Sequence, residues 1–304
     1  MVQPAHGFIG LGAMGGPIAA RMATQFRLAV ADRAQERIDA MLDAEKRDRS
    51  SSNLMADAAQ VAQAKTVFLC LPTPQVTETV IADLLETACK GRQLIDLGAQ
   101  PPQFVGRMVE ICAQHGALYC DSPVFGTPKM AQRGELYFLF SGDEQAATEF
   151  RSLIEGLGYR MRYAGPAGAA SSIKLLQNAL GTANLNIGAE VLRLCEASGI
   201  DTGIFIDVVR ECGGIGLSTV FDRFAEDMAA RKDSGEGRLR IAAKDMRAAL
   251  DLAQSDGVKV PLLEETGHQF DDAIAAGLGD RQFTSIIELA ADSGRPGKGD
   301  AKDQ

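Results

Sequence analysis

What the chain lacks narrows its function first. It has three histidines, His6, His115 and His268, too scattered for a zinc site, so no metal is expected. Its six cysteines (Cys70, Cys89, Cys112, Cys120, Cys195 and Cys212) form no C-x-x-C pair. They read as reduced thiols of a cytoplasmic protein. No apolar run approaches the ~18 residues of a membrane span. The start, MVQPAHGFIG, has neither the basic nor the apolar part of a signal peptide. A long basic run is also missing, and 31 basic residues against 40 acidic give a net charge of -9. Nucleic acid and anionic membrane are therefore not expected partners. An anionic substrate would need local positive charge at its site. With 46% hydrophobic residues the chain can bury a sizeable core, and 304 residues suit two domains.

The two halves of the chain are patterned differently. GFIGL, RLAVA, TVFLCL, RQLIDL, ALYCDSPV, LYFLFSG and YRMRYAG read as strands. Helical patterns lie between them: AMGGPIAARMATQ, a helix containing DLLETACKG, and PPQFVGRMVEICAQHG. The alternation predicts a mostly parallel sheet covered on both faces. After YAGPAGAASS the periodicity is almost wholly helical. A long helix is predicted over 169–197, with Ile173, Leu176, Leu180, Ile187, Val191 and Leu194 along one face. Shorter helices are predicted over 202–211, 217–230, 239–254, 261–275 and 285–291. The expected division is an α/β domain over 1–164, an all-helical domain over 165–291 and a disordered tail over 292–304.

The first strand runs into Gly10-Leu11-Gly12-Ala13-Met14-Gly15, a G-x-G-x-x-G that opens a helix. Gly10 permits the tight turn, Gly12 lets a pyrophosphate approach the backbone, and Gly15 allows close helix–strand packing. The helix N-terminus then offers free N–H groups to the phosphates. A second strand ends at Asp32, about 20 residues on, where the ribose-binding acid belongs. This context predicts a dinucleotide site on a doubly wound Rossmann domain. Leu11, Ala13 and Met14 belong to the same loop, and Leu71 and Pro72 are further cofactor-binding candidates. A carboxylate at Asp32 favours NAD over NADP, although Arg33 could stack on adenine, meet the extra phosphate of NADP, or simply be solvated.

Val124 to Thr127 form a sharp turn after a strand, where Gly126 and Thr127 N–H groups could hold a carboxylate. Lys129 and Arg133 follow and are read as solvated charges. Further on, SSIKLLQN sets Lys174 beside Ile173, Leu175 and Leu176, with Asn178 one turn along the same face. Burial by those neighbours would favour the neutral amine and suit Lys174 to proton transfer, and a second cation at Lys244 would push the same way. The alternative is a lysine that snorkels to solvent above a surface asparagine. Lys244-Asp245, in AAKDMRAALDLA, is equally readable as a surface pair.

Four segments, GFIGLGAMGGPIAARM, DSPVFGTPKMAQRGEL, GPAGAASSIKLLQN and LRIAAKDMRAALDLA, resemble the β-hydroxyacid dehydrogenase family. That family includes 3-hydroxyisobutyrate dehydrogenases and the reductases of tartronate and succinic semialdehydes, and the likeness spans Gly7 to about Ala291. It implies a Rossmann domain joined by a long helix to an all-α domain. It also implies an NAD(P)-dependent oxidoreductase that interconverts a 3-hydroxy acid with its aldehyde or keto form. Lys174 would move the proton with Asn178 beside it; Lys244 would reach the cofactor, and Phe125, Gly126, Thr127 and Asp245 the substrate. Family members are dimers or tetramers built on the long helix. Three departures mark a divergent branch. Phe125 stands where D-x-P-V-S-G-G has its serine, Thr127 replaces its second glycine, and Asp96-Leu97-Gly98-Ala99 replaces D-x-S-T. A bulkier or more apolar carboxylate substrate is expected. Two rivals stay open: an imine reductase of the same fold, against which Lys174 counts, and a nucleotide-binding scaffold without chemistry.

Overall fold

The computed structural model describes residues 6–48, 54–56, 58–87, 89–213, 216–235 and 237–292. The tail expected to be disordered lies, beyond Asp292, outside the described residues. The chain divides into two compact units, the first ending at Lys174 and the second beginning at Leu175. This division falls inside the long helix, because the first turns of that helix belong with the sheet.

In the first unit, β1 (His6–Ile9), α1 (Gly15–Ala23), β2 (Leu28–Ala31), α2 (Gln35–Asp48), β3 (Leu54–Ala56), α3 (Ala58–Val61) and β4 (Thr66–Leu69) come first. Next are α4 (Pro74–Leu85), β5 (Gln93–Asp96), α5 (Pro102–Gln114), β6 (Leu118–Asp121) and β7 (Val124–Phe125). α6 (Pro128–Arg133), β8 (Tyr137–Ser141), α7 (Glu144–Gly156) and β9 (Arg160–Gly165) complete it. The strand order is β3-β2-β1-β4-β5-β6-β8-β7, with β9 on β8. Strands through β6 run parallel and β8 reverses against β6. Such an order is doubly wound, with its switch point between β1 and β4. Ile9 pairs with both Ala31 and Leu69, so Gly10, Asp32 and Cys70 emerge together at the carboxyl edge.

One face of the sheet carries Ile18, Met22, Ile38, Phe150 and Ile154 from α1, α2 and α7. The other carries Ile81, Leu84, Phe104 and Met108 from α4 and α5. The Phe150 ring packs against those of Phe68, Phe138 and Phe140, and Phe68 against Phe8, with centroids 5.0–6.1 Å apart. Truncating the central Phe150 to alanine would cost about 3–5 kcal/mol by the usual cavity penalty.

Two local expectations are corrected. The helix before β5 ends at Leu85, so most of DLLETACKG lies beyond it. Its start is what the residues fix, with Thr73 Oγ1 accepting from the Val76 N–H at 3.3 Å and Pro74 in the first turn. ALYCDSPV is not one strand but β6 and β7, broken at Ser122-Pro123, where Pro123 has no N–H for a ladder. β7 then pairs antiparallel with β8.

The second unit is helical. α8 (Ala169–Ala197) enters it, followed by α9 (Thr202–Cys212), α10 (Thr219–Ala229), α11 (Leu239–Ser255), α12 (Pro261–Ala275) and α13 (Ile286–Asp292). Asp201 and Ser218 cap α9 and α10 by accepting from Ile204 and Phe221 N–H groups at 3.0 and 3.1 Å. Leu185, Leu192, Phe221, Phe224, Met228 and Phe270 anchor the core. The apolar stripe of α8 looks outward instead: Ile173, Leu176, Leu180, Ile187 and Leu194 are 45–65% exposed. Periodicity identified that face but not what covers it. The six cysteines are free; Cys212 is exposed, Cys70 half-buried and the other four buried. Among the described residues no helix is long and apolar enough to cross a membrane, and no cluster could hold a metal ion.

Candidate active site

The glycine turn is set by backbone contacts. Gly10 has φ +99°, and a Cβ there would strike the Cys70 carbonyl and reach Leu71 Cδ2 at 3.2 Å. A Cβ on Gly15 would strike the Gly10 carbonyl. At Gly12, by contrast, a Cβ would meet nothing within 4 Å. The protein's own packing does not require a glycine at Gly12; an approaching pyrophosphate would, so the loop fits a dinucleotide. Met14 stands at the N-cap of α1 without a side-chain cap. In the first turn the Gly16 N–H is taken by the Gly12 carbonyl at 3.0 Å and Pro17 has none, so the Gly15 N–H is the one that faces a ligand's phosphate in this reading.

Asp32 closes this site. Its Oδ2 accepts the Leu11 N–H at 2.6 Å and its Oδ1 the Ala34 N–H at 2.8 Å. Burial alone would raise this carboxyl, but the Ala34 and Leu11 N–H groups and the Arg37 guanidinium outweigh it and hold it below the usual range. An ionised carboxylate has about four acceptor positions, so room remains for ribose hydroxyls. The guanidinium nearest it is not Arg33, which is exposed, but Arg37, 3.5 Å from Oδ2. The motif reading missed Arg37; its place in the first turn of α2, five residues past the acid, was the available signal.

Leu71 adjoins Gly10, whereas Pro72 is exposed. Gly98 is explained by the buried acid next to it. Its N–H donates to Asp96 Oδ1 at 2.8 Å, and a Cβ would sit 3.0 Å from that oxygen. Asp96 also accepts from Gln100 Nε2 and the Tyr119 hydroxyl, both at 2.8 Å. Full burial pushes its carboxyl up to about 6 despite these donors.

The second turn is shaped by side chains. Gly126 has φ +134°, and a Cβ there would lie 2.6 Å from Leu136 Cδ2. Thr127 is extended (φ -113°, ψ 165°), and its hydroxyl caps α6 by accepting from the Met130 N–H at 3.3 Å. Lys129 is exposed, and Arg133 pairs with Glu135 at 2.6 Å. The half-buried ring of Phe125 lies under Lys174, with Nζ 4.1 Å from the ring centroid. The expected burial of Lys174 by its helical neighbours is corrected here. Ile173 and Leu176 are 45% and 49% exposed and only Leu175 is buried, because the lysine's side of α8 faces the β7 turn.

Lys174 is held in place from the strand edge. Asp121, at the end of β6 and fully buried, accepts the Gly168 N–H on Oδ1 and the Ser171 N–H on Oδ2, both at 2.8 Å. Ser141 Oγ donates to Oδ1 at 2.5 Å. A carboxylate thus caps the first turn of α8, where free N–H groups and the helix dipole favour negative charge. In the second unit, Asn178 Nδ2 donates to Asp245 Oδ2 at 2.7 Å. Lys244 Nζ is 3.3 Å from Asp245 Oδ1 and so pairs with a buried acid rather than a solvated one.

Two family models match. Residues 5–165 match the NAD binding domain of 6-phosphogluconate dehydrogenase, and residues 168–290 match the NAD-binding model of NADP-dependent 3-hydroxyisobutyrate dehydrogenase. Glyoxylate/succinic semialdehyde reductase 1 of Arabidopsis thaliana is 26% identical over 286 residues, 93% of this chain and 96% of that protein. The NAD-dependent L-serine dehydrogenase of Pseudomonas aeruginosa is 28% identical over 292 residues, 93% and 96% of the two chains. In fold the chain is similar to Mycobacterium tuberculosis 3-hydroxyisobutyrate dehydrogenase solved with L-serine. The TM-score is 0.82 at 23% identity, covering 95% of this chain and 99% of that one. With its dinucleotide loop, doubly wound sheet and helical second part, the chain belongs to the β-hydroxyacid dehydrogenase family of NAD(P)-dependent oxidoreductases.

Proposed function

We propose that this enzyme interconverts a carboxylate-bearing 3-hydroxy acid with its aldehyde or keto form, and that Lys174 moves the proton. The observation that carries this reading is the Lys174 ammonium seated against Phe125, on a helix start locked to the strand edge by Asp121. Bound nicotinamide would supply the hydride acceptor or donor. Gly10, Leu11, Gly12, Ala13, Met14 and Gly15 would hold its phosphates, Asp32 the ribose, with Leu71 and Pro72 alongside. In oxidation neutral Lys174 Nζ accepts the hydroxyl proton; in reduction the ammonium returns it and its charge steadies the developing alkoxide. Asn178 has its amide nitrogen engaged by Asp245, which leaves its oxygen as the acceptor that orients a donor. Gly126 and Thr127 are the proposed carboxylate holders, and Lys244 and Asp245 keep their expected roles at cofactor and substrate.

Similar proteins are named for glyoxylate, succinic semialdehyde and L-serine, which supports a carboxylate-bearing substrate, and Phe125 in place of the family's serine supports one bulkier or more apolar than these. NAD is the preferred nucleotide in this reading, because Asp32 is held ionised. A homodimer or homotetramer is supported by the outward stripe on α8, since contiguous apolar surface marks an interaction site. A cytoplasmic location is supported by six free thiols. Lys174→Ala is expected to cut kcat by about 10²–10⁴ while NADH binding, read by fluorescence titration, is unchanged. Parental turnover in that variant would end the proton-transfer assignment.

A further inference from the structure

Building on the assignment of Lys174 as the proton-transfer group, we propose that Phe125 is its positioning residue. In this proposal the ring face holds the ammonium in the site and Tyr137 holds the ring.

The geometry is a short ladder across three strands. Lys174 Nζ is 4.1 Å from the Phe125 centroid, well inside the ~6 Å reach of a cation–π contact. Phe125 is the antiparallel register partner of Tyr137, and the two rings meet edge to face at 6.3 Å and 72°. Tyr137 is in turn the register partner of Arg160, whose guanidinium lies 5.6 Å from the Tyr137 ring. Each ring is therefore fixed by the strand beside it. A lysine has a flexible four-carbon stem and loses much rotamer freedom when its amine must stay in one place. An aromatic face attracts the charge through its quadrupole and presents no lone pair that would compete for one particular N–H. A hydroxyl at this position would bind substrate or amine through a directed hydrogen bond; the ring can only place the amine. Phe125 should thus act on kcat rather than on substrate KM.

The test uses the full chain, and its labelling arm needs no substrate. Parent, Phe125→Leu, Phe125→Tyr and Tyr137→Leu are treated with a limiting N-hydroxysuccinimide ester, and labelling at Lys174 is read by peptide mass spectrometry. Lys129 serves as the internal reference. Phe125→Leu keeps the apolar bulk but loses the face, so labelling at Lys174 should rise about 3- to 10-fold. Phe125→Tyr should stay within about 2-fold of the parent, and Tyr137→Leu should rise about 2-fold. With any hydroxy acid the parent turns over, kcat should fall in the leucine variant and return in the tyrosine variant, at constant nucleotide KM. Equal labelling in the leucine and tyrosine variants would overturn the proposal. If Phe125→Leu shows no cooperative unfolding, Tyr137→Leu decides instead, and parental labelling there is the refuting result. Parental turnover in Lys174→Ala would sink the catalytic reading but leave the labelling pattern intact, so the two failures are distinguishable.

Discussion

Two turns leave the carboxyl edge of the same sheet, and they are built on opposite principles. The turn after β1 is set by missing side chains: Gly10 and Gly15 are excluded from having a Cβ by the carbonyls of Cys70 and Gly10, and Gly12 faces open space. The turn after β7 is set by side chains present: Phe125 under Lys174, and Thr127 capping α6. A turn limited by backbone approach tolerates almost no change and serves one kind of ligand. A turn limited by side chains can be rebuilt one residue at a time, and two of the three departures from the family pattern, Phe125 and Thr127, lie there.

The largest expected effect falls on the side-chain-built half. Asp121→Ala removes the acceptor of Gly168 N, Ser171 N and Ser141 Oγ, all buried. Chemical denaturation should show a loss of about 3–5 kcal/mol, because buried donors without partners cost ~1–3 kcal/mol each. A loss under ~1 kcal/mol would mean that α8 is held otherwise.

Asp96 lies between the two turns, in register with Leu69 on β4 and Asp121 on β6. Its folded carboxyl is pushed up to about 6 by burial, so between pH 4 and 6 the folded state keeps a proton that the unfolded state has released. Stability should therefore fall as pH rises through that window, by up to about 3 kcal/mol, and be flat for this group above it. Unfolding curves of parent and Asp96→Asn across the window isolate the contribution, since the slope should be absent from the variant.

Gly15→Ala tests the backbone-built half. The added methyl meets a carbonyl that cannot rotate away, so about 1–3 kcal/mol of stability should be lost and NADH binding weakened at least ~10-fold. Thr127→Ala is the mildest change, with only the α6 cap removed. A loss of about 0.5–1 kcal/mol in thermal or chemical unfolding is expected, and a larger one would show that this turn too is tightly constrained.

Much of this was legible in the residues. α12 begins at a proline and α8 runs over the predicted 169–197, because long periodic segments between strong breakers carry their own limits. α2 was missed because Gln35–Asp48 is rich in charge and short of an apolar stripe, and β3 because three residues show no alternation. At the candidate site, the glycine loop and Asp32 were readable because their spacing is local. The partners of Lys174 and Asn178 were not: Phe125 and Asp245 reach them only through the fold, the latter across 67 positions.

The cap on α8 makes the sheet the reference frame for the amine. Ser171 is anchored on Asp121, and at ~1.5 Å of rise per residue Lys174 stands only about 4.5 Å along the helix from it. Less than one turn separates them, so the Lys174 backbone inherits its place from the end of β6.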